Sequence, residues 1–219
     1  MNNQNWKHDK KLYNAPTIKE NNQITKQLDY DTDYRDNFLE CDPLRDWESI
    51  NRCKFLWKWS VEKVLDEFEN YYITNCSVLD CGTKDCQFPE WLVKNGISAI
   101  GLEYSKSYVE YATKKERPIR YGNVCDMEFD DNTFDFVFSH HLHGLLPDYL
   151  KGLQEMYRVS KKYMICLNHV PGNPKKHYSY IDSPQIFYDF IKSVNCEVLY
   201  NDYLDTGFEN EWVLFLEKK

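Results

Sequence analysis

Val78-Leu79-Asp80-Cys81-Gly82-Thr83-Lys84-Asp85-Cys86 is a short apolar run that ends in an acid and breaks into a turn. A helical pattern follows from about Pro89, carrying Trp91, Leu92 and Val93, and stops at Asn95-Gly96. The next apolar run, Ile97 to Leu102, ends in Glu103. Strand, turn, helix and strand in that order make a βαβ unit, which implies a right-handed crossover and a parallel pair. Ligands of such sheets bind beyond the carboxyl ends of the strands. Gly82 lets the backbone come close to a ligand there. A carboxylate at Glu103 can accept both hydroxyls of a ribose. At this separation the two features indicate an adenosine-containing ligand.

The pattern continues on both sides. Ser105 stands where a helix with Tyr108, Val109 and Ala112 would be capped. Ile119-Tyr121 and Phe134-Ser139 read as strands, Pro147 to Val159 as a helix, and Tyr163-Leu167 as a fifth strand. Residues 184–194 read as a helix capped by Ser183, with Pro184 in its first position. Glu197-Tyr203 and Trp212-Glu217 have only a polar turn between them, so they form a hairpin and bring an antiparallel strand into the sheet. The expected fold is α/β: a Rossmann-like, seven-stranded, mostly parallel sheet with a terminal antiparallel strand and helices on both faces. Upstream, Leu44, Trp47, Leu56, Trp57, Val61, Val64, Leu65 and Phe68 recur at helical spacing over 44–69. Residues 1–40 are rich in Asn, Lys, Asp and Gln without an apolar face, and read as a flexible tail or lid before a domain spanning 41–219.

Hydrophobic residues make up 42% of the chain, a globular composition able to fill such a core. The formal net charge of -8 argues against a nucleic-acid backbone as partner. Eight cysteines without a CxxC pair give a zinc ribbon nothing to start from, and no metal is expected. With no signal peptide, a reducing cytoplasm is the expected compartment. The apolar runs are too short to span a bilayer. The assembly is expected to be a monomer or a homodimer.

A dinucleotide needs G-x-G-x-x-G so that a helix N-terminus can meet a pyrophosphate. Only Gly82 is present, and Asp85 would repel a pyrophosphate. Carboxylates suit a ligand that carries a sulfonium and an amino group.

Here the sequence resembles the class I S-adenosylmethionine-dependent methyltransferases, in particular the broad group acting on small molecules. The resemblance covers about 76–217. Val78 to Cys86 resembles the family's first motif, and Glu103 its acid at the end of strand two. Gly122-Asn123-Val124-Cys125-Asp126 and the acidic turn up to Asp135 resemble the next motif. Ser139-His140-His141-Leu142-His143 is similar to the family's histidine-containing segment after strand four, and Arg158-Val159 to its arginine-valine before strand five. The resemblance implies S-adenosyl-L-methionine as cofactor, held by Asp80, Gly82, Lys84, Glu103, Tyr104, Asn123, Val124, Ser139 and His140. It implies methyl transfer by direct displacement to a small molecule, with a protein acceptor as a further option. The chain departs from the family in lacking the second and third small residues of the first turn, and in having Asn123 where an Asp is usual. A methyltransferase-like binding or scaffold protein without turnover is the alternative reading.

A displacement at a sulfonium carbon needs alignment and dryness, and a base only where the nucleophile carries a tightly held proton. His141 and His143, at the end of strand four, and His169, after strand five, are the candidate bases. On the substrate side stand Trp57, which can instead pack its helix on the sheet, Asn168, Tyr178 and Tyr180.

Overall fold

The computed structural model describes residues 43–64, 75–146, 148–168, 184–206 and 210–219. Helix α1 (Pro43–Val64) precedes β1 (Ser77–Cys81), α2 (Gln87–Lys94), β2 (Ser98–Glu103), α3 (Lys106–Lys114), β3 (Ile119–Tyr121) and β4 (Phe134–His140). After a short 3-10 turn at His143–Leu145 come α4 (Tyr149–Val159), β5 (Ser160–Asn168), α5 (Gln185–Ser193), β6 (Cys196–Asp205) and β7 (Asn210–Lys218). The seven strands lie in the order β3-β2-β1-β4-β5-β7-β6. Strands β1 to β5 are mutually parallel, and β7 enters antiparallel between β5 and β6. The strand order reverses between β1 and β4, which opens the crevice where such sheets bind ligands.

Alternation along the strands sorts the core into two layers. Val78, Phe136, Phe138, Ile165, Leu167, Val213 and Phe215 face α1 and α2, against Leu56, Trp57, Phe88 and Leu92. Leu79, Val137, Met164, Cys166, Leu214 and Leu216 face α4 and α5, against Leu153, Met156, Phe187 and Phe190. Both faces of the sheet are therefore covered, as continuous apolar strands require.

Several local expectations change. Helix α2 starts at Gln87, ahead of Pro89. Ser105 is at the N-cap of α3, yet its hydroxyl pairs with Ser107 Oγ at 2.9 Å and caps no backbone N–H. Helix α4 is capped by Asp148, which accepts from Lys151 N at 3.0 Å. Pro184 is the N-cap of α5, one residue before the helix proper. Residues 1–40, residues 65–69 of the expected first helix, Pro147 and Ser183 lie outside the described residues. Among those described, no helix is long and apolar enough to cross a membrane.

Gly101 on β2 determines how the first turn seats. A Cβ there would lie 2.4 Å from Thr83 Cγ2 and 2.9 Å from Cys86 Sγ. Gly101→Ala is therefore expected to push the turn off the sheet and to cost about 1–3 kcal/mol, read by urea denaturation.

Candidate functional site

The β1–α2 turn keeps an unusual backbone. Gly82 has φ 72°, Lys84 φ 55° and Cys86 φ 63°, so every second residue is left-handed. A side chain in this region costs on the order of 1–2 kcal/mol. The path glycines would take is thus retained at Lys84 and Cys86 despite their side chains, and strain of this kind concentrates at functional sites. Arg117 fixes the turn from outside, donating to the carbonyl and to Oδ2 of Asp85 at 2.8 Å each and to Glu90 at 2.9 Å. The charge of Asp85 is engaged there.

A cleft opens at the carboxyl ends of β1 and β4. It is lined by Asp80, Gly82, Thr83, Lys84, Phe88 and His140 from the sheet side, and by Ser49, Ile50 and Cys53 of α1. Asp80 shares the α1-facing side of β1 with Val78, and His140 that of β4 with Phe136 and Phe138, so alternation aims both at this space. Burial pushes the Asp80 carboxyl up to about 7, against a lowering hydrogen bond from Thr83 and with the Glu103 charge adding to the rise. Burial and neighbouring His141 hold His140 well below an ordinary imidazole, so it is neutral at pH 7. His140 Nε2 is buried without a hydrogen-bond partner, while the buried Thr83 hydroxyl sits against the Asp80 carboxyl. An orphaned polar atom on a cleft wall suits a polar ligand, since it costs free energy when left unmatched.

Glu103 knits the turn to strand β2. Its Oε2 accepts from Lys84 N at 2.8 Å, and its Oε1 from Tyr104 N at 3.0 Å and Ser105 N at 2.9 Å. Burial raises its pKa, and these three backbone donors pull it back. With one bond on Oε2, that oxygen retains capacity for a further donor such as a ribose hydroxyl. Tyr104 is exposed and stacks on Tyr121 at 5.9 Å. The Asn123 side chain turns back to accept from Cys125 N at 2.9 Å, and Val124 is buried in the α4-side core.

The expected histidine group divides. His143 is fully buried, and burial lowers its pKa to about 4. Neutral but weakly basic and sealed from solvent, it does not suit a proton acceptor. Its Nδ1 lies 3.4 Å from Ser139 Oγ, and Ser139 points to the α4 side, away from the cleft. Asn168 is likewise buried on that side, its amide beside the His143 ring. Trp57 is 4% exposed and packs edge-on against Phe136 at 5.0 Å, so its ring joins the core and offers no face to a substrate. His169, Tyr178 and Tyr180 lie outside the described residues.

His141 remains beside the cleft, its ring stacked on His140 at 4.0 Å. Its backbone is left-handed, φ 54°, with the amide donating to Leu167 O at 2.7 Å. Its Nε2 meets Glu211 Oε1, and the same oxygen accepts from Arg52 of α1 at 2.9 Å. Glu211 is fully buried and also accepts from Thr206 Oγ1 at 3.1 Å. His140, His141 and Glu211 bring three potential ligand atoms within 4.8 Å of one another, a metal-like grouping formed by residues far apart in sequence. The Arg52 guanidinium on the shared carboxylate oxygen supplies the positive charge there already.

Glu211, Arg52 and the α1 residues escaped the sequence reading. Ser49, Ile50 and Cys53 stand one and two turns before Trp57, at the same helical spacing that marked the buried face. Glu211 gives no such signal, because only the antiparallel register of β5 and β7 carries it to the end of β4.

A family profile described as "methyltransferase domain" matches residues 79–166. A demethylmenaquinone methyltransferase of Lysinibacillus sphaericus is 32% identical over 105 residues, 42% of this chain and 44% of that protein. The chain therefore spans less than half the length of such curated relatives. The magnesium protoporphyrin IX methyltransferase of Synechocystis superposes with a TM-score of 0.64 over 94% of this chain and 100% of that one, at 11% identity. A [4+2]-cyclase superposes with a TM-score of 0.54 over 66% and 75% of the two chains, at 13% identity, so the fold alone does not decide the chemistry. The chain has the class I S-adenosylmethionine-dependent methyltransferase fold, and its residues 79–166 match the methyltransferase domain family.

Proposed function

We propose that this protein binds S-adenosylmethionine and transfers its methyl group to a small-molecule nucleophile. The observation that carries the reading is the cleft of buried Asp80, with Thr83 and the partnerless His140 Nε2 beside a left-handed turn. Asp80 would take the cofactor's ammonium, and the turn at Gly82–Lys84 its methionine chain. Glu103 would take a ribose hydroxyl, with Tyr104, Asn123 and Val124 toward the base. The bound cofactor supplies an electrophilic methyl carbon on a sulfonium. The protein aligns the acceptor in line with it and keeps water out, α1 closing one wall through Ser49, Ile50 and Cys53. His141 accepts the proton where the acceptor carries one.

The demethylmenaquinone methyltransferases among the relatives make demethylmenaquinone-like quinones the first acceptors to try. The net charge of -8 disfavours nucleic acid. We assign 41–219 to the catalytic domain and 1–40 to an N-terminal tail or lid. The seven cysteines among the described residues are all free, which suits a cytoplasmic enzyme. Full-length protein given methyl-labelled cofactor with separate low-mass, protein and nucleic-acid fractions tests the proposal. Label is expected in the low-mass fraction. Label only in a macromolecular fraction contradicts the acceptor class, and no transfer at all favours binding without turnover.

A further inference from the structure

The buried carboxylate of Glu211 has no part in the cofactor cleft, yet three side chains from three separate elements converge on it. Arg52 from α1 and His141 from the end of β4 share Oε1, and Thr206 from the end of β6 reaches Oε2. A guanidinium can only donate, and an ionised carboxylate can only accept. Whatever meets this carboxylate must therefore bring a proton. Applied to His141, that rule puts a hydrogen on Nε2 toward Glu211, which in the neutral ring leaves the lone pair on Nδ1.

We infer that Glu211 is the positioning residue of a His141 base, fixing the Nε2-protonated tautomer so that Nδ1 is the nitrogen that takes the acceptor's proton. The inference rests on the methyl-transfer reading for its chemistry. As the acceptor's bond to the methyl carbon forms, the carbon–sulfur bond breaks and leaves a neutral thioether. The acceptor's proton moves to Nδ1, and the resulting imidazolium faces the Glu211 carboxylate. A carboxylate behind a histidine serves other base systems in the same way, by holding tautomer and orientation and by stabilising the charged ring. The backbone supports the arrangement. His141 sits in a left-handed conformation at φ 54°, which a non-glycine residue keeps only when its surroundings hold it. Its amide bond to Leu167 O and its ring bond to Glu211 are two such restraints. Arg52 faces the pair from α1, and neutral His140 stacks on the ring from the same strand end. Through Arg52 the base is tied to the helix that walls the cleft, since Cys53 is the next residue.

The test is a long-range proton–nitrogen NMR spectrum of the full, 15N-labelled chain, with His141 assigned by the signals lost in His141→Gln. It needs neither cofactor nor acceptor, so its outcome is separate from that of the methyl-transfer assay. The wild type is expected to show one tautomer at His141, protonated at Nε2. Glu211→Asp is expected to keep it. Glu211→Gln is expected to lose the single tautomer, because an amide can donate to the ring as well as accept from it. A wild-type His141 protonated at Nδ1 alone, or at both nitrogens at pH 8, overturns the inference, as does an unchanged tautomer in a folded Glu211→Gln. The wild-type spectrum decides the matter even if the Gln variant does not fold.

Discussion

Asp80→Asn is expected to melt above the parent protein at pH 8 and yet to lose S-adenosylhomocysteine. Burial holds the Asp80 carboxyl at about 7, far above a free aspartate. The native protein therefore keeps a proton that the unfolded chain releases. Stability is full below the ordinary carboxyl range and falls as the pH rises toward and past 7. An amide carries no such penalty, and the gain at pH 8 is on the order of 2–4 kcal/mol, or roughly 5 °C or more in melting temperature. At pH 4 the two proteins should melt alike. Binding moves the other way, because the ligand's ammonium needs the ionised form. Parent affinity should fall about tenfold per unit below pH 7 and level off above it. The Asn variant should bind about 100-fold more weakly at pH 8, without that pH dependence, since a charge-assisted bond is lost. Melting scans and calorimetric titrations at three pH values check both halves. A parent whose affinity ignores pH would contradict the role given to Asp80.

Glu103→Ala should damage fold and binding together. Its carboxylate satisfies the backbone N–H groups of Lys84, Tyr104 and Ser105 and so joins the first turn to the end of β2. Removing it strands three donors, and a loss of about 2–4 kcal/mol is expected after water replaces part of the set. S-adenosylhomocysteine affinity should drop by about 100-fold, from the lost ribose acceptor and the loosened turn together. Glu103→Gln separates the two effects. One amide oxygen can still accept from the backbone, so the stability loss should be roughly halved while binding stays weak. Urea denaturation alongside calorimetry reads them apart, and a Gln variant that binds like the parent would remove Glu103 from the cofactor site.

The βαβ unit from Val78 to Glu103 was legible because strand alternation, the Gly82 turn and the Asn95-Gly96 stop all point to one arrangement. The final antiparallel hairpin was legible because two apolar runs without a helix between them have few other solutions. Which face a residue joins was harder to read. Ser139 and His140 are neighbours in sequence, but alternation sends one into the α4 side and the other to the cleft. His143, one turn on, is drawn into the core by the 3-10 turn that starts with it. Trp57 combined two possible roles at one position, and the helix spacing that made it a core residue is the one the structure follows. Lys84 and Cys86 disguised the first turn, because a left-handed path is normally signalled by glycine. Glu211 had no local signal at all, since its partner lies on another strand and 70 residues away.

The most direct test of the central claim is a calorimetric titration of the full chain with S-adenosylhomocysteine at pH 8, with NADH as a parallel ligand. The expected result is one S-adenosylhomocysteine per chain, weakened in Asp80→Asn, and no heat from NADH. No binding of S-adenosylhomocysteine by folded protein at high concentration would contradict the cofactor site built on Asp80, Thr83 and Glu103.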